Sequence, residues 1–151
     1  MLEWRAFSDQ PYVVMILSGG FDPLLLGQVR LIQAARAQAA LVVVGLNSDK
    51  WVSAKKGTCT QPLVDRCEVL AAIRGVTSAV SFDDSDGTAT DLLRRVRAVS
   101  GPDSKIAFGN GGPRSQEDVP EVATCRELDI ELVWDVGGAE DLEPRRPLAH
   151  C

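Results

Sequence analysis

The chain has 151 residues, 45% of them hydrophobic, which is enough for one domain with a real core and too few for two. With 16 Lys and Arg against 21 Asp and Glu, its formal net charge is −5 and its pI about 4.9, so no global basic field exists to hold a nucleic-acid backbone and nucleic acid is excluded as a partner. Cys59, Cys67, Cys125 and Cys151 form no C-x-x-C pair and His150 is the one histidine, so reduced cysteines without a zinc site are expected.

No apolar run approaches the ~18–20 residues of a membrane-spanning helix, and the polar start Met1–Arg5 does not read as a secretory signal. The expected location is the cytoplasm, or a particle assembled in it, with no membrane partner. Residues 1–11 carry Trp4 and Phe7 among polar neighbours and read as an arm that packs on the domain or on a partner. From Tyr12 to Leu17 the chain is continuously apolar, the pattern of a strand buried on both faces.

Ser18–Gln28 then joins this strand to an Ala-rich helical pattern. Gly19 and Gly20 are expected to supply close backbone approach and positive φ, Asp22-Pro23 a rigid turn, and the following helix its free N–H groups. Such a corner suits a phosphate, or is a tight strand-to-helix connection. No G-x-G-x-x-G runs through Gly19, Gly20 and Gly27, which removes the dinucleotide fingerprint.

Val29, Ile32 and Ala35 share one face of a helix expected over 27–38, and Leu41–Gly45 reads as a second buried strand. Asn47, Ser48 and Asp49 follow it, placed to cap the next turn or to touch a ligand. Residues 50–61 read as a loop bearing the cations Lys55 and Lys56. Leu63, Cys67, Leu70 and Ile73 then mark a helix that starts near Pro62 and stops near Gly75, with Arg66 off the apolar stripe.

Ala79–Phe82 is the third expected strand, followed by the acidic turn 83–87, which is either solvated or a cation site. Thr88 and Asp91 have the spacing of a capping box before a helix whose buried stripe is Leu92, Val96 and Val99, with Arg94, Arg95 and Arg97 outward. Lys105–Phe108 gives a fourth strand and a second glycine-rich loop, 109–114. A helix from about Val119 with Val122, Cys125 and Leu128, then a strand over 130–136, complete the pattern, and residues 137–151 form a charged, proline-containing tail.

Strands alternating with helices at this spacing predict an α/β domain over 12–136, a Rossmann-like, doubly wound, parallel five-stranded sheet with helices on both faces. Its ligand would lie beyond the carboxyl ends of the strands, where Gly19–Gly20, Asn47–Asp49 and the 109–114 loop would converge.

These motifs, in this order, resemble the nucleotidyltransferase superfamily that includes cytidylyltransferases and sugar-phosphate adenylyltransferases. Gly19-Gly20-Phe21-Asp22-Pro23-Leu24-Leu25-Leu26-Gly27-Gln28 follows the G-x-F-D-P/x-x-H-x-G-H frame without a gap, and Val44-Gly45-Leu46-Asn47-Ser48-Asp49 follows V-G-x-x-S-D. The lysine loop Lys55-Lys56-Gly57, the arginine Arg66 and the glycine pair Gly111-Gly112 with Arg114 come next in register. The resemblance implies transfer of a nucleoside monophosphate from an NTP, with Mg²⁺ and release of pyrophosphate. It also implies nucleotide or phosphate contacts from Gly19, Gly20, Phe21, Asp22, Gln28, Asn47, Ser48, Lys55, Lys56, Arg66, Gly111, Gly112 and Arg114, and no resident metal ligand.

The frame departs where the chemistry sits. Both histidines of H-x-G-H are replaced, by Leu25 and Gln28, so no catalytic residue is assigned there. Losing one such donor costs ~10²–10³ in rate. Pro113 stands in G-G-D-R, and the segment 137–143 is acidic where phosphate-binding Ser/Thr is expected. Two readings follow. One is an inactive or impaired relative serving as a binding or structural subunit, docked in a homo-oligomer or a larger assembly such as a viral particle. The other is a cytidylyl- or adenylyltransferase acting on a phosphorylated small molecule, with Lys55, Lys56, Arg66, Arg114 and Gln28 in place of the histidines. A nucleotide sensor without turnover lies between them.

Overall fold

Five strands pair side by side, all parallel, in the order β3-β2-β1-β4-β5, the central ones built of near-continuous apolar sequence. They are β1 (Tyr12–Gly19), β2 (Ala39–Leu46), β3 (Ser78–Ser81), β4 (Ile106–Gly109) and β5 (Ile130–Val133). Between them run α1 (Leu26–Gln38), α2 (Asp49–Lys56), α3 (Leu63–Ala71), α4 (Thr90–Ser100) and α5 (Val122–Glu127). This computed structural model describes residues 10–111 and 119–137. Residues 1–9 of the expected arm, the carboxyl-terminal tail beyond Gly137, and Gly112 and Arg114 therefore lie outside the described residues.

Strand side chains alternate between the two faces, and each face has its own apolar layer. Met15, Leu17, Val42, Val44 and Ala107 pack with Leu31, Ile32 and Ala35 of α1 and Leu70 of α3. Val14, Ile16, Ile106 and Phe108 pack with Leu92 and Leu93 of α4 and Cys125 of α5. The expected doubly wound α/β sheet is thus the fold observed. The strand order reverses at β1, whose neighbours are β2 and β4, and a crevice opens at such a switch point.

Several local expectations are corrected. Residues 50–61 are not all loop, because α2 occupies Asp49–Lys56. The Ser48 hydroxyl accepts the Trp51 N–H at its start, and Gly57 ends it at φ 86 with its N–H on the Ser53 carbonyl. In α1, Leu31 is buried and Val29 only half-buried. In α4, Leu92 is buried and Val96 half-buried against the core as expected, with Leu93 buried beside them, while Val99 is 89% exposed.

No Thr88–Asp91 capping box forms. The Thr88 hydroxyl accepts the Thr90 N–H at 3.2 Å, and Asp91 accepts the Asp83 N–H at 2.9 Å. Arg97 does not face free solvent, since its guanidinium donates to the carbonyls of Gly101, Ser104, Leu128 and Asp129. β5 ends at Val133, where the Asn110 N–H takes its carbonyl, and Val136 returns an N–H to the Asn110 carbonyl.

Candidate ligand cleft at the switch point

The corner after β1 is shaped by close approach. A Cβ on Gly19 would lie 3.1 Å from the Phe21 ring, and one on Gly20 would lie 3.1 Å from Cγ2 of Val52. The positive φ expected of these glycines falls instead on Phe21, at 50°. Phe21 is buried, with its ring held under the corner, and it lines both cavities beside that corner.

Asp22 and Arg66, both read from the sequence as ligand contacts, are used inside the protein. The Asp22 carboxylate accepts the N–H groups of Thr60 and Gln61 at 2.6 and 2.7 Å, and Lys56 donates to its main-chain carbonyl at 3.2 Å. Burial pushes the Asp22 carboxyl up, but those two N–H groups, with Arg66 and Lys56 nearby, outweigh it and hold it below the usual carboxylate range.

Arg66 has no exposed surface, although its position off the apolar stripe suggests a solvated side chain. Nη1 donates to the carbonyls of Gly20 and Asn47, each at 2.8 Å, Nε donates to the Gln61 carbonyl at 2.8 Å, and Nη2 pairs with Asp49. That hydrogen bond is the main reason the Asp49 carboxyl lies below its ordinary range. Arg66 therefore fastens the first corner to the Asn47–Asp49 corner, which the Asn47 N–H also joins through the Gly19 carbonyl at 2.9 Å.

The 83–87 turn is not simply solvated. Asp84 is buried and accepts from the Asn47 amide at 3.0 Å, the Ser48 N–H at 2.8 Å and the Ser48 hydroxyl at 2.8 Å. Among the described residues, no group of three or more His, Cys, Asp and Glu is placed to hold a metal ion. Asn47 and Ser48 thus serve the corner: Asn47 turns its amide to Asp84, and Ser48 caps α2.

Leu25 and Gln28 occupy the amino end of α1. Leucine has no donor, and the Gln28 carboxamide oxygen accepts the Leu25 N–H at 2.8 Å, which fixes the amide across the start of the helix. Gln28 still borders two adjoining cavities. One, of about 220 Å³, lies between the ends of β1 and β4, with Ser18, Gly109, Asn110 and Gly111 on its walls. The other, of about 290 Å³, runs toward α2, with Trp51, Lys55 and Lys56. Lys55 Nζ stands 4.7 Å from the centre of the Trp51 ring.

Glu121, which sequence reading passed over, borders both cavities. It is buried, and one carboxylate oxygen accepts the Ala89 N–H at 2.8 Å. Asn110 was also missed. Its side-chain amide nitrogen is buried with no hydrogen-bond partner. Asn110 lies in the 109–114 loop expected at the cleft but was not singled out there, and Glu121 belongs to no periodic stripe or motif. Asp84 left one trace, since the polar run Asn47–Asp49 at a strand end needs acceptors nearby.

A parallel sheet of this order, with a glycine corner and a helix amino end at its switch point, defines a nucleotidyltransferase-like α/β domain. The cytidylyltransferase-like family model matches residues 16–143, and the chain belongs to that family. Bifunctional protein HldE of Methylobacillus flagellatus is 38% identical over 97 residues, covering 62% of this chain and 19% of its own length. Its counterpart in Bradyrhizobium diazoefficiens is 36% identical over 122 residues, covering 79% of this chain and 22% of its own length. The chain thus spans about a fifth of these relatives. The lipopolysaccharide core biosynthesis protein from Thermoplasma volcanium shares the fold, with a TM-score of 0.59 at 15% identity over 82% of this chain and 93% of its own.

Proposed function

We propose that this chain is a cytidylyltransferase-like domain that holds a ligand at its switch point without transferring a nucleotidyl group. The observation that carries the reading is the amino end of α1. The Leu25 side chain has nothing to donate, and the Gln28 amide oxygen is fastened to the Leu25 N–H. Neither position therefore supplies a cationic donor to meet charge developing on a leaving pyrophosphate, and that stabilisation usually dominates such catalysis. Arg66, one substitute, is buried on main-chain carbonyls and lines neither cavity. The cleft itself persists, with glycine corners and two lysines beside it.

The test is pyrophosphate release from ATP, CTP, GTP or UTP with Mg²⁺ and a panel of sugar phosphates and phosphorylated alcohols. No release above the enzyme-free rate is expected, and turnover proportional to protein concentration overturns the reading. Restoring Leu25→His and Gln28→His together asks whether the rest of the site still supports transfer.

A further inference from the structure

We propose that a cavity at the amino ends of β4 and β5 binds a free basic α-amino acid, Asp103 and Asp129 taking its two cationic groups and Arg126 its carboxylate. This cavity, of about 570 Å³, lies at the opposite end of the sheet from the cleft, and the inference does not rest on how that cleft is read. Its floor is apolar: Ile106 and Ile130, paired across β4 and β5, and Cys125 of α5 are all buried. One wall is the turn before β4, which carries Asp103. The other is the end of α5 and the turn before β5, which carry Arg126 and Asp129. A single guanidinium joins the two walls. Arg97 donates to the Gly101 and Ser104 carbonyls at 2.9 and 2.8 Å on one side, and to the Leu128 and Asp129 carbonyls at 2.9 and 2.7 Å on the other. The charged groups thus stand on a frame that is fixed before any ligand arrives.

The charged side chains lining the cavity divide by whether they are already engaged. Lys105 Nζ stands 5.4 Å from the centre of the Tyr12 ring, and Glu131 accepts a hydrogen bond from the Tyr12 hydroxyl. Among the described residues, the side chains of Asp103, Arg126 and Asp129 have no hydrogen bond or ion pair. Two uncommitted carboxylates and one guanidinium complement a basic amino acid, which carries an α-ammonium, a side-chain cation and one carboxylate. Its aliphatic stem suits an isoleucine floor, and an arginine takes a carboxylate through two parallel N–H donors. A phosphate is repelled by the carboxylates. No group of three or more His, Cys, Asp and Glu among the described residues is placed to hold a metal ion. Asp129 follows the C-cap Leu128 of α5 at φ 53, where glycine is the usual residue, so a carboxylate is kept at a position that disfavours side chains. The volume falls within the ~300–1,000 Å³ of small-molecule sites.

Calorimetric titration of the full chain at low ionic strength tests this with L-lysine, L-ornithine and L-arginine. Each control alters one feature: norleucine lacks the side-chain cation, cadaverine lacks the carboxylate, and L-glutamate reverses the side-chain charge. At least one of the three basic amino acids should bind with a Kd of ~1 mM or below. Norleucine and cadaverine should bind at least ~10-fold more weakly, the equivalent of one charge-assisted hydrogen bond. Glutamate should not bind, and inorganic pyrophosphate should not displace the bound amino acid.

Two variants keep the test independent of folding. Arg126 and Asp129 are exposed, so Arg126→Gln and Asp129→Asn should melt as the parent does. Arg126→Gln should weaken the bound amino acid at least ~10-fold and leave the weak binding of cadaverine unchanged, whereas Asp129→Asn should weaken both. Diffuse attraction of cations to an acidic protein would not produce that split. The proposal is overturned if none of the three amino acids binds at about 10 mM, or if norleucine or cadaverine binds as well as the best of them. It is equally overturned if pyrophosphate displaces the amino acid, or if Arg126→Gln weakens the amino acid and cadaverine alike. None of these results depends on whether pyrophosphate is released in the transfer assay, so the two readings can fail separately.

Discussion

Arg66 shows how far residue type and spacing carry an argument. The heptad-like stripe Leu63, Cys67, Leu70 and Ile73 places it off the apolar face, and family resemblance makes it a phosphate ligand, yet it is fully buried with three carbonyls and Asp49 as partners. Its acceptors come from Gly20, Asn47 and Gln61, which no local pattern brings together. Removing the guanidinium leaves those carbonyls unmet in a closed site. Arg66→Met should therefore destabilise the protein by roughly 3–5 kcal/mol, read as a lowered urea midpoint. Arg66→Lys should recover only part of this, because one ammonium cannot reproduce a planar fork reaching several acceptors. A lysine variant as stable as the parent would refute the clamp. Glu121, and the buried state of Asn110 within a loop already expected at the cleft, were illegible for a related reason: a buried polar group is recognised by what surrounds it, and sequence shows only the group.

Among the elements, the strands were legible because β1 and β2 are aliphatic runs bounded by polar turns and the shorter ones keep apolar residues between turn signals, and a parallel sheet follows from their alternation with helices. Helix α2 was not, although its punctuation was present. Ser48 caps its start and Gly57 its end. In its eight residues only Val52 is buried, so no stripe of apolar side chains announces it, and the lysine pair reads as loop. The packing of α4 on β2 is set by a different small feature. A Cβ on Gly45 would stand 2.3 Å from Cδ2 of Leu92, 3.0 Å from its Cδ1 and 3.1 Å from Cδ1 of Phe82, so the glycine lets α4 lie against the sheet. Gly45→Ala must push a fully packed leucine aside and should cost about 1–3 kcal/mol. Urea unfolding with an unchanged slope and a lowered midpoint is the expected result, and a neutral substitution would show that this face is looser than its packing indicates.

For the molecule as a whole, Asp22 links three parts of the chain: the corner after β1, the Thr60–Gln61 segment before α3, and, through Lys56, the end of α2. The sequence placed Asp22 in a motif and so suggested a ligand contact, while its part in closing the fold depends on residues almost forty positions away. Its carboxyl lies below the usual range in the folded protein, through the Thr60 and Gln61 N–H groups and the nearby cations acting against burial. An unfolded aspartate titrates near 3.9, so the folded chain holds its proton less tightly than the unfolded one. The stabilisation from Asp22 is then complete above the unfolded value and disappears as pH falls through the lower, folded one. Asp22→Asn should unfold at lower urea than the parent at neutral pH, by about 2–3 kcal/mol for two hydrogen bonds to a charged group. As pH falls below the unfolded value and through the lower, folded one, the two proteins should converge, because the parent's carboxylate is then being protonated as well. Asp49, held below its ordinary range chiefly by Arg66, remains in both proteins and leaves a residual acid slope in the variant. A gap between the parent and Asp22→Asn that stays constant from neutral pH into acid would show that the carboxylate's charge plays no part in tying these three segments together.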